Sequence, residues 1–321
     1  MTESSKLEVV VKNVASEAQG ISVWEFESIS GEDLPPFTAG AHIDMHLSNG
    51  LVRSYSLCNS QDDHHRYVVA INNDASGRGG SKFIHETLRV GDQLKITTPR
   101  NNFPLVEDAD HVVFIAGGIG ITPIYGMIQR LEQLGRSWEL HYSARVPEMC
   151  AFKDKLVMLD RHGRVHFNFD HLPGGKVLDL NRLIGTLPFD AHYYCCGPNP
   201  MLRAFESACI AAGIPSERVH VEYFTAREAA STEGGFTVVL QRSGKSFEIS
   251  AGNTILDTLL ANDVAVPYSC MQGVCSTCET RVIDGVPDHR DSVLSPEEQA
   301  SNKTMMICCS GSKSKTLVLD I

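Results

Sequence analysis

YSCMQGVCSTC, residues 268–278, places three cysteines in one short loop, and a fourth follows in TMMICCS, residues 304–310. Cys270, Cys275, Cys278 and Cys308 are thus spaced C-x4-C-x2-C-x29-C. The plant-type ferredoxin spacing likewise takes three thiolates from one tight loop and the fourth from a distant strand, so that four sulfurs converge on two tetrahedral irons. Gly273, Val274, Ser276 and Thr277 are small enough for the backbone to wrap closely and aim N–H groups at the sulfurs. A structural zinc site usually pairs one C-x2-C with a second, or with two histidines. Neither is present, and the four cysteines are read as ligands of a [2Fe–2S] cluster. Read as a strand, TMMICCS points neighbouring side chains to opposite faces, which leaves Cys309 turned away from a cluster held by Cys308.

Upstream of the loop, FTVVLQRSGKSFEIS reads as a hairpin turning at Ser243 and Gly244, with a short helix following around TILDTLLAND. TAREAASTEGG, residues 225–235, is small, polar and Gly-ended, as a flexible linker would be. From about residue 108 the apolar runs HVVFIA, SWELHYS, RVHFNF and AHYYCC alternate with helical stretches such as ITPIYGMIQRLEQLG, which predicts a doubly wound parallel sheet. Before about residue 105, period-two runs such as KLEVVVKNV, HIDMHL and RYVVAI, separated by turn residues, predict an antiparallel barrel or sandwich interrupted by one helix over GGSKFIHETLRVG.

The 321 residues suffice for two or three domains. A formal charge of −11 argues against nucleic-acid binding, because an acidic surface repels phosphate. MTESSKLEVVVKN lacks the features of a signal peptide and no apolar run would cross a bilayer, so a cytoplasmic protein without a membrane segment is expected. Ten cysteines in such a chain read as reduced thiols plus one metal site. The thirteen histidines are dispersed along the sequence and offer no second one.

A low-potential cluster exchanges single electrons, and a flavin is the natural converter for a hydride that delivers two. Arg53, Tyr55 and Ser56 in RSYSL, and GRGGS at Gly77–Ser81, suit a flavin ring and a phosphate held at a helix start. AGGIGITP, Ala116–Pro123, suits a pyrophosphate at a second helix start, though alone it also fits a plain strand-to-helix turn. CGPNPM begins at Cys196, at the end of another strand.

RSYSL, GRGGS, GGIGITP, CGPNPM and the four-cysteine loop, in that order, resemble the phthalate dioxygenase reductase family over essentially the full chain, including PDHRD at 287–291 and the ending ICCSGSKSKTLVLDI. The resemblance implies an FMN-binding antiparallel β-barrel at 1–106, an NADH-binding doubly wound α/β domain at 107–225, a linker at 226–235, and an α+β, β-grasp-like ferredoxin domain at 236–321. It places Arg53, Tyr55 and Ser56 on FMN, with Gly79, Gly80 and Ser81 on its phosphate. Gly118, Gly120 and Thr122 would line the NADH site, with Cys196, Gly197 and Pro198 beside the nicotinamide. Phe224 matches an aromatic near the flavin face, and equally a core aromatic at a domain boundary. Ser56, Cys196 and Phe224 are therefore the candidates closest to the chemistry. Asp170, after RVHFNF, would favour the free ribose hydroxyls of NADH, whereas Arg145, after SWELHYS, would favour a 2′-phosphate.

The implied function is a reductase that carries electrons from NADH through FMN and [2Fe–2S] to a Rieske non-haem iron oxygenase, in a transient complex and as a monomer. Two other readings stand beside it: a self-sufficient enzyme reducing a small molecule, and a redox-sensing interaction protein.

Overall fold

The computed structural model describes residues 6–321 except 75, 76 and 78; the first five residues of the opening stretch, and Arg78 of GRGGS, lie outside the described residues. It divides into two compact units, 1–222 and 223–321.

The first sheet contains β1 (Lys6–Ala18), β2 (Ile21–Ser28), β3 (His42–His46), β4 (Val52–Ser56), β5 (Arg66–Asn72) and, after helix α1 (Gly80–Thr87), β6 (Gln93–Thr97). Its order is β4-β3-β6-β1-β2-β5, with every pairing antiparallel. The two edges meet where Leu57 bridges Val69 and the Cys58 N–H donates to the Val68 carbonyl at 2.9 Å, which closes a barrel. Alternate inward residues such as Val9, Val11, Trp24, Phe26, Ile43, Met45, Tyr67 and Val69 fill it.

The second sheet belongs to the same unit. Its elements are β7 (His111–Gly117), α2 (Ile121–Leu134), β8 (Ser137–Ala144), α3 (Lys153–Leu159), β9 (Val165–Phe169), α4 (Leu180–Ile184), β10 (His192–Cys196), α5 (Asn199–Ala211) and β11 (Val219–Glu222). All five strands are parallel in the order β11-β10-β7-β8-β9. Val112–Ala116 of β7 are fully buried, as a central strand covered on both faces requires. The chain leaves β7 toward β9 and returns on the other side at β10, so the carboxyl ends of β7 and β10 flank the switch point where such sheets bind ligands. Barrel and sheet are keyed together by α2. A Cβ at its Gly126 would lie 3.3 Å from the Leu57 carbonyl oxygen, and Gln129 Nε2 donates to the Cys58 carbonyl at 2.9 Å.

The second unit contains β12 (Phe236–Leu240), β13 (Ser246–Ile249), α6 (Ile255–Ala261), β14 (Glu279–Asp284), β15 (Pro287–Asp288), α7 (Pro296–Ser301), β16 (Thr304–Met306), β17 (Gly311–Ser312) and β18 (Thr316–Leu319). β12 and β13 form the expected hairpin, and Thr254 and Asp257 close a capping box at the start of α6. The mixed sheet runs β13-β12-β18-β14-β16, with β12 parallel to β18, and α6 contributes Ile255, Leu256 and Leu259 to its core.

Two local expectations are corrected. The segment read as a flexible linker lies along this unit: Ala230 packs on its core, the Ser231 N–H donates to the Cys309 carbonyl at 2.7 Å, and Arg227 N–H donates to Ser292 Oγ at 3.1 Å. Its small residues permit close packing as readily as flexibility. TMMICCS is a strand only to Met306; the chain then turns, with the N–H groups of Cys309 and Ser310 donating to the Met306 carbonyl at 3.2 and 3.0 Å. Side chains in a turn do not alternate, so opposite-face geometry does not separate Cys308 from Cys309.

Candidate functional site

The turn after β16 and the loop 270–278 bring Cys270, Cys275, Cys278 and Cys308 together, each no more than 5% exposed. Met271, Gly273 and Ser276 all have positive φ, a conformation costly for the two residues that carry a side chain and common where a loop is held for function. The wrapping aims amides inward: Gln272 N–H donates to Cys270 Sγ at 3.3 Å and Gly273 N–H to Cys308 Sγ at 3.2 Å. Four buried thiolates with amide N–H groups aimed at the sulfurs make a donor set that fits a [2Fe–2S] cluster. Hydrogen bonds from Cys275 and Cys308 push the Cys270 thiol far down, and Cys308 lowers Cys278, while Cys275 and Cys308 are pushed up by the partners they serve. Loading the cradle with metal therefore displaces the protons held there.

Cys309 is fully buried beside this cradle, its thiol 3.7 Å from the Met306 carbonyl. A Cβ at Gly273 would overlap its sulfur.

In the first unit, Arg53 on β4 lies against the start of α1, where any Cβ at Gly80 would overlap its side chain. RSYSL and GRGGS, separated in sequence, thus form one wall. Gly79 caps α1 with φ 79°, and Ser81 Oγ accepts from the Asp74 N–H at 3.2 Å, which leaves the Ser81 hydroxyl proton able to donate outward. Tyr55 packs on the barrel core and burial pushes its phenol up, so it presents a neutral ring. Ser56 is buried at the end of β4.

The two nucleotide motifs also meet. A Cβ at Gly120 would overlap the Cys196 carbonyl, and one at Gly117 would lie 2.7 Å from both Pro198 Cδ and Met201 Sδ. Gly118 has φ 54° and open space where a side chain would project, with Tyr142 OH donating to its carbonyl at 3.0 Å. Thr122 is buried and donates its hydroxyl to the Ile119 carbonyl at 3.0 Å, so it braces the turn. The 14-residue α2 carries no acidic residue in its first turn and continues directly from the 3-10 turn Gly118–Gly120, whose Gly118 carbonyl accepts the Ile121 N–H. Asp170 follows β9 with a buried Oδ1 that has no hydrogen-bond partner. Phe224 falls in the second unit and is half-buried.

One residue at this crevice escaped the sequence reading. Glu222 ends β11 in register with Cys196, and Cys196 Sγ lies 4.0 Å from its Oε2. Burial pushes the Glu222 carboxyl up to about 8 and raises the Cys196 thiol well above its ordinary value. VHVE carries no local signal, because only parallel pairing to β10 puts Glu222 beside Cys196. The dispersed histidines likewise hid a group: Glu139, His141 and His166 are brought together across β8 and β9. Among the described residues, no helix is long and apolar enough to cross a membrane.

A family model for the 2Fe-2S iron-sulfur cluster binding domain matches residues 238–312. The chain is 52% identical to the phenoxybenzoate dioxygenase subunit beta of Ectopseudomonas oleovorans over 96% of its own length and 95% of that protein. It is 50% identical to the tetrachlorobenzoquinone reductase of Sphingobium chlorophenolicum over 99% and 98%. Among solved structures, phthalate dioxygenase reductase, described as modular for electron transfer from pyridine nucleotides to [2Fe–2S], superposes with a TM-score of 0.76 at 39% identity, covering 99% of this chain and 98% of that one. With the cysteine cradle in one unit and the flavin and nucleotide walls in the other, these likenesses show that the chain belongs to the phthalate dioxygenase reductase family of NADH-dependent oxidoreductases that use FMN and a [2Fe–2S] cluster.

Proposed function

We propose that this protein is the electron donor to a Rieske-type oxygenase, acting as a monomer in a transient complex, with an FMN/NADH unit followed by a ferredoxin unit. The observation that carries the reading is the complete relay in one chain, beside a relative that is itself a dioxygenase subunit. When bound, the flavin takes hydride as an electron pair and the cluster passes electrons one at a time. The protein's part is to hold, orient and exclude water. Gly79, Gly80 and Ser81 would hold the FMN phosphate, with Arg53, packed against Gly80, also on the FMN, while Tyr55 would cover its ring and Ser56 would steady its edge. Gly118, Gly120 and Thr122 shape the pyrophosphate turn. Cys196, Gly197 and Pro198 would lie beside the nicotinamide, and the four cysteines would hold the cluster.

A second reading, direct reduction of a quinone, is favoured by the tetrachlorobenzoquinone reductase relative. Purified protein should reduce cytochrome c with NADH, and turnover of a Rieske oxygenase that it supports should require the cluster. If a chlorinated benzoquinone is reduced as fast by cluster-free Cys308→Ser protein, and no oxygenase is supported, the quinone reading replaces the first.

Glu222 has a predicted consequence. As hydride leaves NADH the nicotinamide ring becomes cationic, so an ionised carboxylate nearby assists and a neutral one does not. With its carboxyl titrating at about 8, flavin reduction should accelerate as pH rises through 8, and Glu222→Gln should flatten the profile. The nucleotide-free protein checks the sign independently. A carboxyl raised on folding binds its proton more tightly in the native state, so its contribution to stability is full below about 4.5 and falls until pH 8. Thermal melts of the Gln variant should lose that decline.

Asp170 predicts cofactor choice. Its Oδ1 has no hydrogen-bond partner among the described residues and lies 4.0 Å from His171 Nε2, so it suits a ribose hydroxyl donor, and the carboxylate repels a 2′-phosphate. The specificity constant should favour NADH by tenfold or more, and Asp170→Ser should narrow the ratio. Equal constants in the parent protein would mean that Arg145 faces the ribose instead.

A further inference from the structure

The histidine–carboxylate group on the edge of the parallel sheet belongs to no part of the relay. His141 on β8 and His166 on β9 are register partners, so parallel pairing sets their side chains side by side, with ring centroids 4.8 Å apart and planes 21° from parallel. Glu139, two residues before His141, shares that face of β8 and places Oε1 3.4 Å from His141 Nε2. One donor atom from each of the three lies within 4.8 Å of the others. His141 and Glu139 side chains are 12% and 21% exposed, whereas His166 is exposed on the edge strand, which leaves an open approach for an ion.

We propose that Glu139, His141 and His166 form a binding site for a borderline divalent cation of the Zn²⁺, Co²⁺ or Ni²⁺ class. Two imidazoles and one carboxylate suit these metals and not Mg²⁺ or Ca²⁺, which take oxygen ligands. Three protein ligands leave a coordination position for water. The site sits toward the amino end of β8, since Glu139 aligns with Val113, whereas Ser143 aligns with Gly117 at the nucleotide crevice. His141 and His166 stand two residues of strand (about 7 Å) and Glu139 four residues (about 13 Å) from that level, so the ion lies toward the opposite end of the sheet from the nucleotide crevice. Its effect is to tie the edge strand β9 to β8, and because ligands from two strands converge only in the folded sheet, binding stabilises the native state.

The test uses untagged, cluster-loaded, FMN-loaded protein washed with chelator. Isothermal titration with ZnCl₂ should show one equivalent bound at micromolar concentration or tighter, and the thermal midpoint should rise by a few degrees. His166→Ala, at an exposed position, and Glu139→Gln should each weaken binding at least tenfold and remove the thermal shift. NADH-dependent ferricyanide reduction should stay the same with and without zinc. The proposal is overturned if the parent protein binds only at millimolar zinc, or if both variants bind as tightly as the parent, which would place the ion elsewhere.

Discussion

Cys308→Ser protein should purify without the visible absorbance of a [2Fe–2S] cluster, while its flavin still accepts hydride from NADH and still reduces ferricyanide. Cys309→Ser protein should keep both the absorbance and the electron paramagnetic resonance signal of the reduced cluster. Because both cysteines lie in one turn, the contrast rests on which sulfur enters the cradle. Cys308 Sγ accepts the N–H of Gly273, the amide that the positive φ of that glycine turns inward. Cys309 instead directs its thiol to the Met306 carbonyl and fills the space a Gly273 side chain would need. A serine hydroxyl can make the same hydrogen bond, so the Cys309 substitution should cost only about 1 kcal/mol of stability. Loss of the cluster from the Cys309 variant, with retention in the Cys308 variant, would reverse the assignment of the fourth ligand.

Gly120→Ala should slow flavin reduction by NADH about a hundredfold, the scale expected when a binding wall is displaced by about 1 Å. Gly120 has an ordinary helical φ of −62°, so alanine is excluded there by space and not by backbone conformation. Its Cβ would strike the Cys196 carbonyl and come within 2.7 Å of the Gly197 nitrogen, pushing outward the turn proposed to lie beside the nicotinamide. Gly118→Ala is the informative comparison. That position has φ 54° and open space, so the methyl group strains the backbone by about 1–2 kcal/mol without striking Cys196. Stopped-flow reduction at saturating NADH separates the two, with flavin and cluster absorbance as the check on folding. A Gly120→Ala rate within threefold of the parent would remove the Cys196 turn from the nucleotide site.

Motifs whose chemistry is local were legible in the amino-acid sequence. The four-cysteine spacing, the glycine turns at strand ends and the alternation of strand and helix each depend on neighbours within a few residues, and the order of the motifs identified the family. The hairpin at Ser243–Gly244 and the helix after Thr254 followed from turn and cap chemistry in the same way. Three features depended on contacts between residues far apart in sequence. The 225–235 stretch looks like a linker because its residues are small, yet it finds partners at Ser292 and Cys309. Cys308 and Cys309 look like alternating strand residues, but the chain turns at Met306 to deliver Cys308 to the loop. Glu222 meets Cys196, and Glu139 and His141 meet His166, only through parallel strand pairing. The sequence alone therefore determined which cofactors the chain is built for, since ligand spacing and turn chemistry are short-range. Tertiary structure alone decided which side chains stand beside them, because strand register brings together residues that no local pattern connects.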